Sequence, residues 1–136
     1  MESVKGNCLC HSVEYSFQVQ SKVFTACHCE MCRKWGGGPG LVVKVDSGLQ
    51  MSGEENIGIY DSSSWAERGF CKNCGTHLFY RMKDDKINFM NFQLGALDNP
   101  DEFKFVTEIF IDKKPSCYSF SNATKKLTKK EVLDGF

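Results

Sequence analysis

At 136 residues the chain is long enough for one domain with a real core. Its 17 basic and 17 acidic residues cancel, which argues against a global electrostatic pull toward nucleic acid or an anionic membrane. No run of about 18 apolar residues offers a membrane span, and Met1-Glu2-Ser3-Val4-Lys5-Gly6 lacks the apolar segment of a signal peptide, so a reducing, cytoplasmic location is expected.

Rich in phenylalanine and poor in proline, the sequence reads as mainly β. In residues 12–19, Val13, Tyr15, Phe17 and Val19 alternate with Ser12, Glu14, Ser16 and Gln18, the pattern of a half-buried strand. Gln20-Ser21-Lys22 reads as a turn and residues 23–26 as the returning strand, a hairpin that delivers Cys27 at its end. Residues 30–35 predict a short helical turn, which Gly36-Gly37-Gly38-Pro39-Gly40 stops. Strands are expected over 41–45, 49–52, 57–60 and 66–70, followed by a hairpin of 78–82 with 87–92 around Lys83-Asp84-Asp85-Lys86. Residues 105–111 are the last clear strand, with Phe105, Thr107, Ile109 and Ile111 on one face and Val106, Glu108 and Phe110 on the other. Residues 1–115 thus form one β-rich domain. Residues 116–136 form a lysine-rich tail, packed on it or extending from it, in which Thr128 and Glu131 make a capping box for a short terminal helix.

Seven of the eight cysteines fall in three clusters: Cys8-Leu9-Cys10, Cys27-His28-Cys29-Glu30-Met31-Cys32 and Cys71-Lys72-Asn73-Cys74. Thiols so close together in a reducing compartment point to a metal rather than to disulfides. The outer pairs Cys8/Cys10 and Cys71/Cys74 would make one closed four-thiolate zinc site, a staple between distant segments. Cys27, Cys29 and Cys32 would make a second site with one position open for water or a substrate thiol. Three thiolates on zinc carry a net negative charge, and Arg33, Lys34, Arg68 and Arg81 are the cations placed to offset it or to bind an anionic ligand. Other groupings remain open from spacing alone: Cys8, Cys10, Cys27 and Cys29 on one metal with Cys32, Cys71 and Cys74 on another, or completion of a site by His11, His28 or Cys117. The simplest account of Cys117 is a free, part-buried thiol, and His77 reads as a strand residue. The tail holds none of the seven clustered cysteines and is expected to be dispensable for metal binding.

Gly6-Asn7-Cys8-Leu9-Cys10, Cys27-His28-Cys29-Glu30-Met31-Cys32-Arg33-Lys34, Arg68-Gly69-Phe70-Cys71-Lys72-Asn73-Cys74-Gly75-Thr76 and Gly95-Ala96-Leu97-Asp98 stand in an order that resembles the glutathione-dependent formaldehyde-activating family, which also includes the domain of centromere protein V. The resemblance spans roughly residues 4–115. It implies a β-tent fold of short antiparallel strands pinned by zinc. It also implies two ions per chain, a structural one on Cys8, Cys10, Cys71 and Cys74 and a catalytic one on Cys27, Cys29 and Cys32. The implied activity is condensation of formaldehyde with glutathione to S-hydroxymethylglutathione, a carbon–sulfur lyase reaction. The chain departs from the family in two places: His11 stands where a glycine usually follows the first cysteine pair, and the tail beyond Pro115 has no counterpart.

The expected protein is therefore an enzyme. Cys27, Cys29, Cys32 and Arg33 form its catalytic group, Arg33 anchors a carboxylate, and a small thiol such as glutathione and a small carbonyl are the partners. No residue stands out as general base, His28 being the nearest candidate. The rival is a non-catalytic scaffold or binding module with both zinc ions structural, its second site closed by Cys117 or a histidine. A nucleic-acid-binding form would rely on the tail lysines, against the neutral overall charge.

Overall fold

The computed structural model describes residues 1–135; Phe136, the last residue of the expected tail, lies outside the described residues. The fold is mainly β, as expected. A three-stranded sheet holds β1 (Glu2–Asn7), β2 (Glu14–Val19) and β5 (Ser47–Ser52), in that spatial order. An eight-stranded sheet runs in the order β11 (Lys125–Leu127), β10 (Lys104–Ile109), β3 (Val23–Cys27), β4 (Gly40–Lys44), β9 (Met90–Gln93), β8 (His77–Met82), β7 (Ala66–Cys71), β6 (Ile57–Tyr60). Among the described residues only β10 pairs in parallel, with β3 on one side and β11 on the other.

The inward faces of the two sheets make one core. Val13, Tyr15, Phe17 and Val19 meet Val43, Leu78, Phe79 and Phe92. Tyr15 and Phe17 stack on Phe92 with centroids 4.0 and 5.3 Å away, and Phe79 meets Phe92 edge-on at 5.6 Å. Gly69 lets β7 lie against this stack, since a Cβ there would come within 2.3 Å of the Phe79 ring.

The expected hairpin of 12–19 with 23–26 does not form. β2 pairs with β1 and β5, while β3 pairs with β4 and β10 in the other sheet. The apolar face of β2 is used against the second sheet, so the chain crosses between sheets at Gln20-Ser21-Lys22 instead of folding back. The β8–β9 hairpin forms in register, Phe79 opposite Phe92. β1 is an unforeseen strand: its sequence is mostly polar, yet all six residues pair with β2. β10 ends earlier than expected, and its two-residue alternation fails at a register shift between Phe105 and Thr107. Phe105 and Glu108 are consequently the buried residues of this strand, and Phe110 turns the chain away with a left-handed φ of 56°.

The helical turn after Cys29 is α1 (Glu30–Gly36). Cys29 is its N-cap, and Gly37, at φ 80°, closes it by donating its N–H to the Arg33 carbonyl at 2.8 Å. The capping box is present: Thr128 Oγ1 accepts from the Glu131 N–H and Glu131 Oε1 from the Thr128 N–H, opening α2 (Lys129–Leu133). Among the described residues no helix is long and apolar enough to cross a membrane.

Candidate metal centres

The first cluster gathers thiols from two segments far apart in sequence. Cys8 follows β1, and Cys71 closes β7. The sulfurs of Cys8, Cys10, Cys71 and Cys74 all lie within 4.8 Å of one another. Cys10 Sγ is 3.6 Å from Cys8 Sγ and 3.7 Å from Cys71 Sγ. Four sulfurs about 2.3 Å from one tetrahedral zinc have edges of about 3.8 Å, so the donor set fits that ion.

Both knuckles turn in the same way. The residue after the second cysteine takes a left-handed backbone, Gly75 at φ 79° and His11 at φ 63°. Each then donates its N–H to the first cysteine's carbonyl, His11 to Cys8 at 3.0 Å and Gly75 to Cys71 at 2.8 Å. The histidine in the glycine position therefore leaves the turn intact. The Leu9 N–H donates to Thr76 Oγ1 at 3.1 Å and ties one knuckle to the other. Burial pushes the Cys8 thiol up to about 11, whereas the Thr76 hydroxyl and N–H draw Cys74 down to about 5 and Ser12 lowers Cys10.

The second cluster is Cys27, Cys29 and Cys32, their sulfurs likewise within 4.8 Å of one another. β3 delivers Cys27, and α1 begins at Cys29 and carries Cys32, so one strand-to-helix turn builds the whole set. Cys29 collects donors: the Cys27 and Cys32 thiols, then the Cys32 N–H at 3.4 Å, with the Arg68 charge nearby. These hold it far below the usual thiol range, and Cys27, hydrogen-bonded to Cys29 and buried, is pushed far above. Three thiols this close concentrate negative charge when they ionise, which suits a cation carrying two charges. Three soft donors on one side and a cavity on the other fit zinc with an open position.

Arg68 supplies the nearest cation. It is 4% exposed, its Nη2 donates to Cys32 Sγ at 3.6 Å, and its guanidinium lies 5.0 Å from the Tyr80 ring centroid. Arg68 lines the cavity, of about 1680 Å³, that opens over the three cysteines. Arg33 is not in that wall: it extends from α1 toward Tyr118, which feels its charge, and its Nε is buried without a hydrogen-bond partner among the described residues. Lys34 is ion-paired to Glu30 on the exposed face of α1, and Arg81 to Glu67. Trp35 and His77 complete one wall, stacked 4.2 Å apart. Burial and Arg68 together lower His77 below its usual pKa. No local motif marks His77 or Tyr80 as neighbours of the cysteines; the strand order of β7 and β8 brings them there, whereas Trp35 follows Cys32 on α1.

Neither cluster includes His11, His28 or Cys117. Cys117 is exposed rather than part-buried, because the segment around it pairs with no strand. His28 is buried and turns away from the three sulfurs to Glu108.

The chain is 37% identical over 134 residues to an uncharacterized lyase of Schizosaccharomyces pombe, covering 98% of this chain and 96% of that one. It is 32% identical over 87 residues to a putative glutathione-dependent formaldehyde-activating enzyme of Halomonas elongata, covering 56% of this chain and 54% of that one. A crystal structure of a Rhodobacter sphaeroides protein shares the fold at a TM-score of 0.56 and 21% identity, covering 75% of this chain and 99% of that one. Residues 3–113 match the family described as glutathione-dependent formaldehyde-activating enzyme. With its cysteine clusters, its two-sheet fold and this match, the chain belongs to the glutathione-dependent formaldehyde-activating family.

Proposed function

We propose that this chain is a zinc-dependent carbon–sulfur lyase-type enzyme that joins glutathione to formaldehyde, giving S-hydroxymethylglutathione. The observation that carries the reading is the three-thiol cluster on the wall of a cavity, backed by a buried arginine. Zinc held by Cys27, Cys29 and Cys32 would supply a Lewis acid and favour the thiolate form of a substrate thiol. A second zinc on Cys8, Cys10, Cys71 and Cys74 would be structural.

The chain's own groups do the rest. Arg68, one of the four cations the sequence offered for the balancing role, places a fixed positive charge beside Cys32, where negative charge accumulates. Lys113 and Lys129 border the same cavity and offer ammonium groups to the carboxylates of glutathione. Trp35, stacked on His77, gives a flat apolar wall that excludes water from the reacting atoms. The reaction is an addition: a sulfur–carbon bond forms, the carbonyl π-bond opens, and the thiol proton ends on the new hydroxyl. It needs no oxidant or reductant.

Cobalt substitution tests the reading. Two cobalt ions per chain are expected, and saturating glutathione should change the visible absorption of one of them. A spectrum of two four-sulfur sites, unmoved by glutathione, would replace this reading with the scaffold.

A further inference from the structure

His28 lies between two residues of the second cluster, yet its side chain serves a different network. It is 1% exposed, and its Nε2 donates to Glu108 Oε1 at 2.8 Å. Glu108 is equally buried. Its other oxygen, Oε2, accepts from Thr124 Oγ1 at 2.6 Å, with Lys126 Nζ 3.8 Å away. The rings of Tyr118 and Phe120 close over His28, with centroids 6.5 and 6.1 Å from it. The backbone repeats the connection. The His28 N–H donates to the Ile109 carbonyl at 3.0 Å, and Ile109 pairs with Cys27 on one side and Leu127 on the other.

We infer that the terminal segment is a lock on the catalytic metal loop, with Thr124 and Glu108 as positioning residues that act through His28 on Cys27 and Cys29. A carboxylate this deep keeps its place only while its lone pairs are satisfied. Thr124 satisfies one oxygen and His28 the other. The imidazole is thus pinned, and with it the backbone that aims both flanking sulfurs. Every tail residue in the lock lies beyond residue 113, where the family match ends. The tail, expected to be dispensable for metal binding because it lacks the clustered cysteines, instead holds the loop that carries three of them.

The inference rests on the reading that Cys27, Cys29 and Cys32 hold zinc, and one experiment separates the two. Zinc release to a chromophoric chelator is followed in the full chain, in Thr124→Val and in Thr124→Ser. A Cys29→Ser background, with and without Thr124→Val, identifies the phase that belongs to the other cluster. Partners that orient ligands are worth about 10–100-fold in metal affinity. Thr124→Val, which keeps the shape and removes the donor, is therefore expected to speed release from the second cluster by about tenfold. Release from the first cluster should be unchanged, and Thr124→Ser should restore the native rate. Two zinc ions on the unaltered chain with no change in Thr124→Val, or with both phases accelerated alike, would overturn the lock and leave the metal reading standing. A single zinc on the unaltered chain, held by the first cluster, would overturn both.

Discussion

Arg68→Met removes the cation beside the second cluster while keeping most of the buried volume. The guanidinium nitrogen is 3.6 Å from Cys32 Sγ. At that separation and an effective dielectric of about 20, the attraction to a full thiolate charge is about 5 kcal/mol. Two effects reduce the net value. The guanidinium gave up water to reach a site only 4% exposed, and a thiolate shared with zinc carries less than a full charge. A hydrogen bond to a charged group is worth about 1.5–3 kcal/mol net, so a loss of about 2 kcal/mol is expected, or ~30-fold in zinc affinity at the second cluster. Arg68→Lys, which keeps a charge but not the planar fork, should fall between the two. Competition with a chelator of known affinity measures it, the first cluster serving as internal control. Equal zinc affinity in wild type and Arg68→Met would refute the electrostatic role. Equal weakening at both clusters would show that the arginine matters to the fold and not to the site.

Cys71→Ser should abolish soluble folded protein, since Cys71 joins knuckles 61 residues apart in sequence, whereas Cys29→Ser should keep the native circular dichroism and bind one zinc fewer; equal collapse would contradict the division of roles. His11, held at φ 63°, should accept glycine with a urea midpoint close to wild type. His11→Val, β-branched in a left-handed position, should cost about 1–2 kcal/mol. The His77 imidazole should titrate below the usual value of about 6.5 by nuclear magnetic resonance, and Arg68→Met should move its midpoint up, because burial and that charge both lower it. The sign for stability follows. A histidine with a depressed folded pKa takes up more protons when unfolded, so its site is fully stable above about pH 6.5 and loses stability as pH falls through that value. His77→Gln should flatten that part of the stability profile.

The sequence determined by itself what depends on neighbours a few residues apart. The C-x-C and C-x-x-C spacings limit which sulfurs a single turn can converge, Gly37 ends α1 and Thr128 with Glu131 starts α2. The alternation of Val13, Tyr15, Phe17 and Val19 gave a strand and its buried face, because a side-chain period of two is local. Its partner was not legible: Val23 follows at once, yet pairs in the other sheet, since burying two apolar faces against each other outweighs closing a short turn. β1 was no more legible, because an edge strand is held by its backbone ladder, which leaves little trace in side-chain character. The surroundings of the second cluster were decided only by tertiary structure. Arg68 reaches Cys32 across 36 residues of chain and His28 reaches Glu108 across 80. A charged residue reads alike in sequence whether solvated or buried against its partner. Only the packing of β3, β10 and β11 side by side makes Glu108 a buried anchor rather than another surface acid.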